Sequence, residues 1–116
     1  MMKISPSLIP ITTEIRRNAQ NILGDRLHKI ILYGSRARGD YHEWSDLDIM
    51  VLADYDEQER RSYENALVSV ANDLGLEYGI IVSMMLNNVK LFMTRLEISP
   101  FYRNVISEGV EIYGEH

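Results

Sequence analysis

The sequence predicts an α+β fold in which a small mixed β-sheet carries helices packed on one face. Helical periodicities and short β-favouring runs follow one another in the order helix, strand, strand, helix, strand, helix. The 116 residues form a single domain, 1–116, which can bury roughly two-thirds of its unfolded surface in one core. Hydrophobic residues make up 46% of the chain and charged residues 25%, which is ordinary for a globular protein.

The first half of the chain contains one predicted helix and two predicted strands. The helix spans about 8–23, because apolar residues recur there at helical spacing and Gly24 follows where a left-handed cap would end it. The runs 27–33 and 47–52 are short, apolar and β-favouring. Both are expected to be buried central strands.

The second half is predicted to hold two helices, a third strand and a last extended piece. In chain order these are a helix over about 56–74, a strand over 78–86, a helix from Ser99-Pro100 to Gly109, and an extended piece over 110–113. The first of them begins with a capping-box-like pair, Asp56 and Glu59, and its apolar stripe ends before Gly75. The stretch 87–98 permits either a helix or a strand at the edge of the sheet.

Composition narrows the classes of function. The net charge is −5, from 12 Lys and Arg against 17 Asp and Glu, so a surface that follows a nucleic-acid backbone would have to be a local basic patch. A nucleic-acid partner is therefore disfavoured. There is no cysteine, no apolar run long enough to span a bilayer and no signal-peptide core. We expect a cytoplasmic protein that does not associate with membranes.

The segment between the first two strands begins with the composition of a phosphate-binding turn. Gly34 and Gly39 bracket a stretch that can start a short helix at Ser35. Such a start leaves N–H groups and the Ser35 hydroxyl available for the β- and γ-phosphates of a nucleotide. Arg36 and Arg38 can add charge-assisted contacts, and Arg38 is the better candidate to face the site. The alternative is a solvated turn with two surface arginines, which suits Arg36 equally well.

The same segment ends with two carboxylates. Successive side chains of a strand point to opposite faces, so Asp46 and Asp48 share one face while Leu47 and Ile49 enter the core. Two carboxylates so placed repel each other unless a cation lies between them. Mg²⁺ fits, because it is held by one or two carboxylates together with phosphate oxygens and waters. Ser45 either orients Asp46 through the neighbouring backbone or is a simple turn residue.

These residues resemble the signature of the DNA polymerase β-like nucleotidyltransferase superfamily. The matching positions are Gly34, Ser35, Gly39, Ser45, Asp46 and Asp48, followed by the apolar run 49–52. The short length, the Gly-Ser-x-Ala-Arg-Gly form and the ending 100–113 are similar to the minimal nucleotidyltransferases, which are often encoded beside a helical HEPN-type partner. The resemblance covers most of the chain and implies the polymerase β-like nucleotidyltransferase fold.

The resemblance also implies a reaction. An acceptor hydroxyl attacks the α-phosphate of a nucleoside triphosphate, pyrophosphate leaves, and two metal ions stabilise both oxygens. Sites of this superfamily usually have a third carboxylate on the next strand. Here the stretch 78–90 contains no acid, Ser83 stands where that carboxylate is expected, and Glu77 is the only nearby substitute. The use of two metal ions is therefore doubtful. We expect the protein to retain nucleotide binding while its catalytic activity is weak or absent.

Three functions follow from these observations. The first is antitoxin-like transfer of AMP from Mg-ATP to a hydroxyl of a HEPN-type protein partner. Its catalytic and metal-binding residues would be Asp46 and Asp48, and its nucleotide-binding residues Gly34, Ser35, Arg38, Gly39 and Ser45. The second is a catalytically impaired nucleotide- or partner-binding module. The third is transfer to a small, antibiotic-like acceptor, which would need a pocket built across a homo-oligomer.

Overall fold

A four-stranded mixed sheet forms the centre of the protein in a computed structural model, which describes residues 4–114. The strands are β1 (Leu27–Tyr33), β2 (Leu47–Ala53), β3 (Val82–Asn88) and β4 (Val110–Gly114). They lie in the order β3-β2-β1-β4. β1 is antiparallel to both β2 and β4, whereas β2 and β3 are parallel. The predicted α+β class with a small mixed sheet is confirmed.

The described residues form five α-helices around this sheet. They are α1 (Ile9–Leu23), α2 (Ser35–Arg38), α3 (Arg60–Tyr78), α4 (Val89–Arg95) and α5 (Pro100–Glu108). Short 3-10 turns lie at Pro6–Leu8, Gly24–Arg26 and Glu57–Glu59. The capping box of Asp56 and Glu59 opens the last of these turns, which α3 continues. None of the helices in this part of the chain is both long and apolar enough to cross a bilayer.

Helices cover both faces of the sheet. Along β2, Leu47, Ile49 and Val51 belong to a core shared with α1 and α3. The alternate residues Met50 and Leu52 pack on the opposite face with Phe92 of α4 and Val105 of α5. The expectation of helices on one face therefore applies to the two long helices. The second layer was missed because a strand buried on both faces is a continuous apolar run that does not indicate which side a helix covers.

The end of α3 and the start of β3 differ from the sequence prediction. α3 continues past Gly75 to Tyr78, and Gly79 ends it at a φ of +67°. A Cβ at Gly75 would lie 2.7 Å from the carbonyl oxygen of Ile80, so this glycine permits a close approach of the chain that follows the helix. The third strand accordingly begins at Val82 rather than at residue 78. Glu77 is thus a helical residue.

The ambiguous stretch 87–98 contains the end of β3 and all of α4. The side chain of Asn88 accepts hydrogen bonds from the N–H groups of Lys90 (2.9 Å) and Leu91 (3.4 Å), which is the arrangement of a helix N-cap. Phe92 is fully buried one turn later. The helix alternative is therefore confirmed for Val89–Arg95, after the last two residues of β3, and α4 lies on the same sheet face as Asp48.

Candidate functional site

The turn between β1 and α2 lies directly against the carboxylate of Asp48. Gly34 has a φ of +77°, a conformation that favours glycine, and a Cβ on it would collide with Oδ2 of Asp48. The Gly34 carbonyl accepts hydrogen bonds from the N–H groups of Ala37 and Arg38, each at 3.1 Å. Ser35 begins the short helix, and Gly39 ends it at a φ of +89°. The absence of a side chain at Gly34 lets the Asp48 carboxylate lie directly against the turn.

Asp46 and Asp48 lie at the start of β2. Asp48 is half-buried within the strand, and Asp46 is exposed just before it. Burial and the negative charge of Asp46 raise the pKa of Asp48, while the positive charge of Arg38 opposes that rise. A raised carboxyl pKa means that the ionised carboxylate has too few opposite charges or hydrogen bonds to offset its burial and the nearby negative charge. A cation between the two carboxylates would supply such a charge.

The two arginines of α2 have different surroundings. Arg36 donates from Nε to the carbonyl of Ser45 at 3.0 Å, and its guanidinium lies 5.0 Å from the centroid of the Tyr41 ring. It thereby fastens α2 to the loop before β2. Arg38 donates from Nε to Asp40 at 3.3 Å and from Nη1 to Glu108 at 3.4 Å. The positive charge of Arg38 also lowers the pKa of Asp48, and this division favours Arg38 as the arginine of the site.

Ser45 closes the turn that precedes Asp46. Its Oγ accepts a hydrogen bond from the N–H of His42 at 3.0 Å, and its own N–H donates to the His42 carbonyl at 3.0 Å. The N–H of Trp44 donates to Nδ1 of His42 at 3.1 Å. These bonds fix the backbone immediately before the first carboxylate. Ser45 is therefore a turn residue, and through the turn it determines where Asp46 lies.

Ser83 occupies the position beside Asp48 on the neighbouring strand. The parallel register pairs Asp48 with Ser83, and Ser83 is exposed. Glu77 lies in the last turn of α3 and is separated from β3 by Tyr78 to Ile81, so it is not a residue of that strand. Within residues 4–114 no three His, Cys, Asp or Glu side chains come together in a set that could hold a metal ion. The described site has two carboxylates.

Sequence reasoning missed two residues that border the site. Tyr33 pairs with Asp48 across β1 and β2, and burial, together with the charge of Asp48, raises the pKa of its phenol. Glu108 contacts Arg38, and both residues line a cleft of about 280 Å³ with Tyr33 and Gly34. Tyr33 was visible as the last residue of a predicted strand. Glu108 carried no local signal, since 70 residues separate it from Arg38.

Known proteins share this sequence pattern over most of the chain. The nucleotidyltransferase domain family matches residues 13–113. Two candidate protein adenylyltransferases of Methanocaldococcus jannaschii are similar in sequence. MJ0604 is 38% identical over 88 residues, which is 76% of this chain and 80% of the relative. MJ0141 is 34% identical over 105 residues, which is 90% of this chain and 98% of the relative.

Solved structures of toxin–antitoxin complexes share the fold. A chain of the MntA–HpeT complex has a TM-score of 0.56 at 22% identity, with 92% of this chain and 73% of that chain covered. A toxin–antitoxin complex with AMP-PNP gives 0.56 at 22%, with 90% and 74% covered. A complex of tri-AMPylated HEPN toxin with MNT antitoxin from Shewanella oneidensis gives 0.52 at 19%, with 90% and 70% covered. The predicted minimal nucleotidyltransferase fold is confirmed.

Proposed function

The chain belongs to the nucleotidyltransferase domain family, and on that premise we propose that it transfers AMP from Mg-ATP to a hydroxyl of a helical HEPN-type protein partner, as an antitoxin does. One observation carries the proposal: the carboxylate of Asp48 lies directly against the turn at Gly34. Relatives named as candidate protein adenylyltransferases support a protein acceptor. The neighbours that contain AMP-PNP or an AMPylated HEPN toxin support the nucleotide and the partner.

Each site residue has a role in this proposal. The turn of Gly34 and Ser35 would bind the β- and γ-phosphates, and Arg38 would add a charge-assisted contact. Asp46 and Asp48 would hold Mg²⁺, which fits the raised pKa of Asp48 because a cation relieves the repulsion between the carboxylates. When bound, Mg²⁺ would neutralise phosphate charge. Gly39 and Ser45 would hold the two turns that place these groups.

The order of the strands sets the direction from which the acceptor approaches. In the transfer, the acceptor oxygen bonds to the α-phosphorus, the bond from phosphorus to the pyrophosphate oxygen breaks, and the hydroxyl proton leaves to solvent. The attacking and leaving oxygens lie roughly in line. The phosphate turn follows β1, and β2 lies between β1 and β3. With pyrophosphate on the β1 side, the acceptor hydroxyl would therefore approach across Asp48 from the side of Ser83.

An exposed apolar surface also supports a protein acceptor. Trp44, Leu76 and Ile81 are exposed by 80%, 86% and 67%. They line a cleft of about 510 Å³ beside Ser45, which immediately precedes the carboxylate pair. Contiguous patches of exposed apolar side chains mark sites of interaction with other molecules, whereas single exposed apolar residues do not. A partner bound there would contact the loop that precedes Asp46.

A second candidate function rests on Ser83. A protein that binds Mg-ATP and its partner without turnover would need the phosphate turn and two carboxylates but no third carboxylate. Ser83 lies in register with Asp48 and cannot hold a second metal as an aspartate would. Transfer to a small acceptor across a homo-oligomer stays a prediction, since no contact in the described residues favours it.

Incubation with labelled ATP, Mg²⁺ and a purified HEPN-type partner tests the proposal. We expect label on the partner with the wild-type protein, none with Asp48→Asn, and unchanged labelling with Glu77→Gln as a matched control. Calorimetric binding of Mg-ATP without any transfer would support the second candidate instead. Absence of Mg-ATP binding would contradict both functions.

A further inference from the structure

We infer that Glu108, at the C-terminal end of α5, is a positioning residue that orients Arg38 toward the triphosphate of the nucleotide. The inference rests on the proposed nucleotide-binding function and adds a residue outside the phosphate turn to it. Glu108 and Arg38 are 70 residues apart in the chain. Their contact makes α5 a part of the nucleotide site.

The contact restricts a side chain that would otherwise be mobile. Arg38 and Glu108 side chains are 43% and 38% exposed, and Nη1 of Arg38 lies 3.4 Å from Oε2 of Glu108. Asp40 holds Nε of the same guanidinium at 3.3 Å. A long arginine side chain samples many rotamers in solvent. Two carboxylates that hold different nitrogens of one planar guanidinium fix both its position and its plane.

Glu108 differs from Asp40 because it reaches the turn from another element. Asp40 is two residues from Arg38 and belongs to the same turn. Glu108 is anchored separately, because a Cβ on Gly109 would collide with the Val105 carbonyl and the Ile31 side chain. The end of α5 therefore lies directly on β1, the strand that leads into the phosphate turn. The ion pair with Glu108 therefore holds the Arg38 side chain relative to the sheet, whereas the pair with Asp40 holds it only relative to the loop that contains both residues.

The ion pair orients Arg38 and leaves N–H donors of its guanidinium available for a ligand. A guanidinium has five N–H donors, and the two carboxylates use Nε and Nη1 at 3.3 and 3.4 Å. Donors remain for phosphate oxygens. Gly34, Arg38 and Glu108 line one cleft of about 280 Å³, so the guanidinium is held where the phosphate turn opens. Through Arg38, Glu108 would therefore affect the binding of the phosphates and would have no effect on recognition of the base.

Calorimetric titration with Mg-ATP and with Mg-tripolyphosphate, which has no base, tests the inference. We expect Glu108→Gln to weaken both by about threefold to tenfold, which lies in the lower part of the range that coupling between contacting residues spans. Glu97→Gln, an exposed glutamate before α5, should leave both affinities unchanged. In an Arg38→Ala background, Glu108→Gln should cause no further loss, which a merely structural role for Glu108 would not explain.

The possible outcomes separate this inference from the proposed function. Unchanged or tighter binding by Glu108→Gln would overturn it, and so would an equal additional loss in the Arg38→Ala background. If Glu108→Gln lowers the melting temperature, Glu108→Asp retains the charge, and its loss of affinity must likewise vanish without Arg38. Wild-type protein that binds neither ligand would overturn both the inference and the proposed function. Binding by the wild type with additive variants would overturn the inference alone.

Discussion

At the scale of single residues, the carboxylate of Asp48 combines two unfavourable conditions. It is half-buried, and the charge of Asp46 lies nearby, so folding raises its pKa. Such a group destabilises the protein on its own and becomes favourable only when a cation joins it. The same residue therefore lowers stability without ligand, and in the proposed function it would create affinity for Mg-ATP.

Replacing Asp48 by Asn should raise the melting temperature at neutral pH while weakening Mg-ATP binding. Because the pKa of Asp48 is higher in the folded than in the unfolded protein, the ionised carboxylate destabilises the fold above the folded pKa. This destabilisation is lost as the pH falls through that value. The advantage of the Asn variant should thus shrink in acid. Melting curves across this pH range check it, with Asp73→Asn on the exposed side of α3 as a control. An Asn variant that is less stable at neutral pH would contradict the prediction.

Replacing Ser83 by Asp should add the carboxylate that the described site lacks. Ser83 lies in register with Asp48, so the ligand-free variant should melt at a lower temperature through repulsion. Its transfer rate to the partner should rise by at least about tenfold, because metal stabilisation of a transition state is worth several kcal/mol. Ser69→Asp, exposed on α3, is the control. Rapid transfer by the wild type that Ser83→Asp does not increase would show that no third carboxylate is needed.

At the scale of elements, the turn from Gly34 to Gly39 has a glycine at each end for different reasons. Gly34 and Gly39 both have positive φ, at +77° and +89°. The space where a Cβ would lie is blocked by Asp48 at Gly34, whereas no heavy atom lies within 4 Å of that position at Gly39. Both glycines are therefore favoured by their positive φ, but only at Gly34 would a side chain also collide with the Asp48 carboxylate.

Gly34→Ala and Gly39→Ala form a matched pair. Both should destabilise the protein by about 1–3 kcal/mol, because alanine is strained at positive φ. Only Gly34→Ala should also lose Mg-ATP affinity, since its methyl group displaces the Asp48 carboxylate. Thermal melts and calorimetric titration of the two variants separate the effects. Equal losses of Mg-ATP affinity would mean that the contact between Gly34 and the Asp48 carboxylate has no special role.

Gly109→Ala should move the end of α5 away from β1. The new methyl group would collide with the Val105 carbonyl and the Ile31 side chain, and overpacking of this kind destabilises proteins by about 1–3 kcal/mol. Mg-ATP affinity should fall as well, because Glu108 precedes this residue. Ser107→Ala on the same helix is exposed and should stay within about 0.5 kcal/mol of wild type in a melting experiment. A stable Gly109→Ala variant would refute the close contact.

At the scale of the whole molecule, ligand binding should appear as stability. Mg-ATP should raise the melting temperature in a concentration-dependent way. At a free concentration one hundred times Kd, the free energy of unfolding should increase by about 2.7 kcal/mol. Chelation of Mg²⁺ should remove the effect, because two carboxylates in a chain of net charge −5 then face a polyanion. AMP, which lacks the β- and γ-phosphates, should give a much smaller shift. A shift with ATP that survives chelation would argue against the carboxylate pair.

The sequence by itself determined the central strands, the glycine turn and the carboxylate pair. These features have local causes. Residues 27–33 and 47–52 are β-favouring and apolar, and the observed β1 and β2 agree with them to within one residue. The aspartates follow from the alternation of side chains along one strand. The resemblance, which implies a third carboxylate on the next strand, identified Ser83 as the residue at that position, and the register pairs Ser83 with Asp48.

Only the tertiary structure decided the remaining features, because each depends on residues that are distant in the chain. Gly75 resembled a helix end until the close approach of Ile80 explained it, and that contact places Glu77 on α3. The layer of α4 and α5 exists because Phe92 and Val105 cover the second face of the sheet. The pairing of Arg38 with Glu108 joins residues 70 positions apart. Local propensity carries no information about such contacts, since packing between elements determines them.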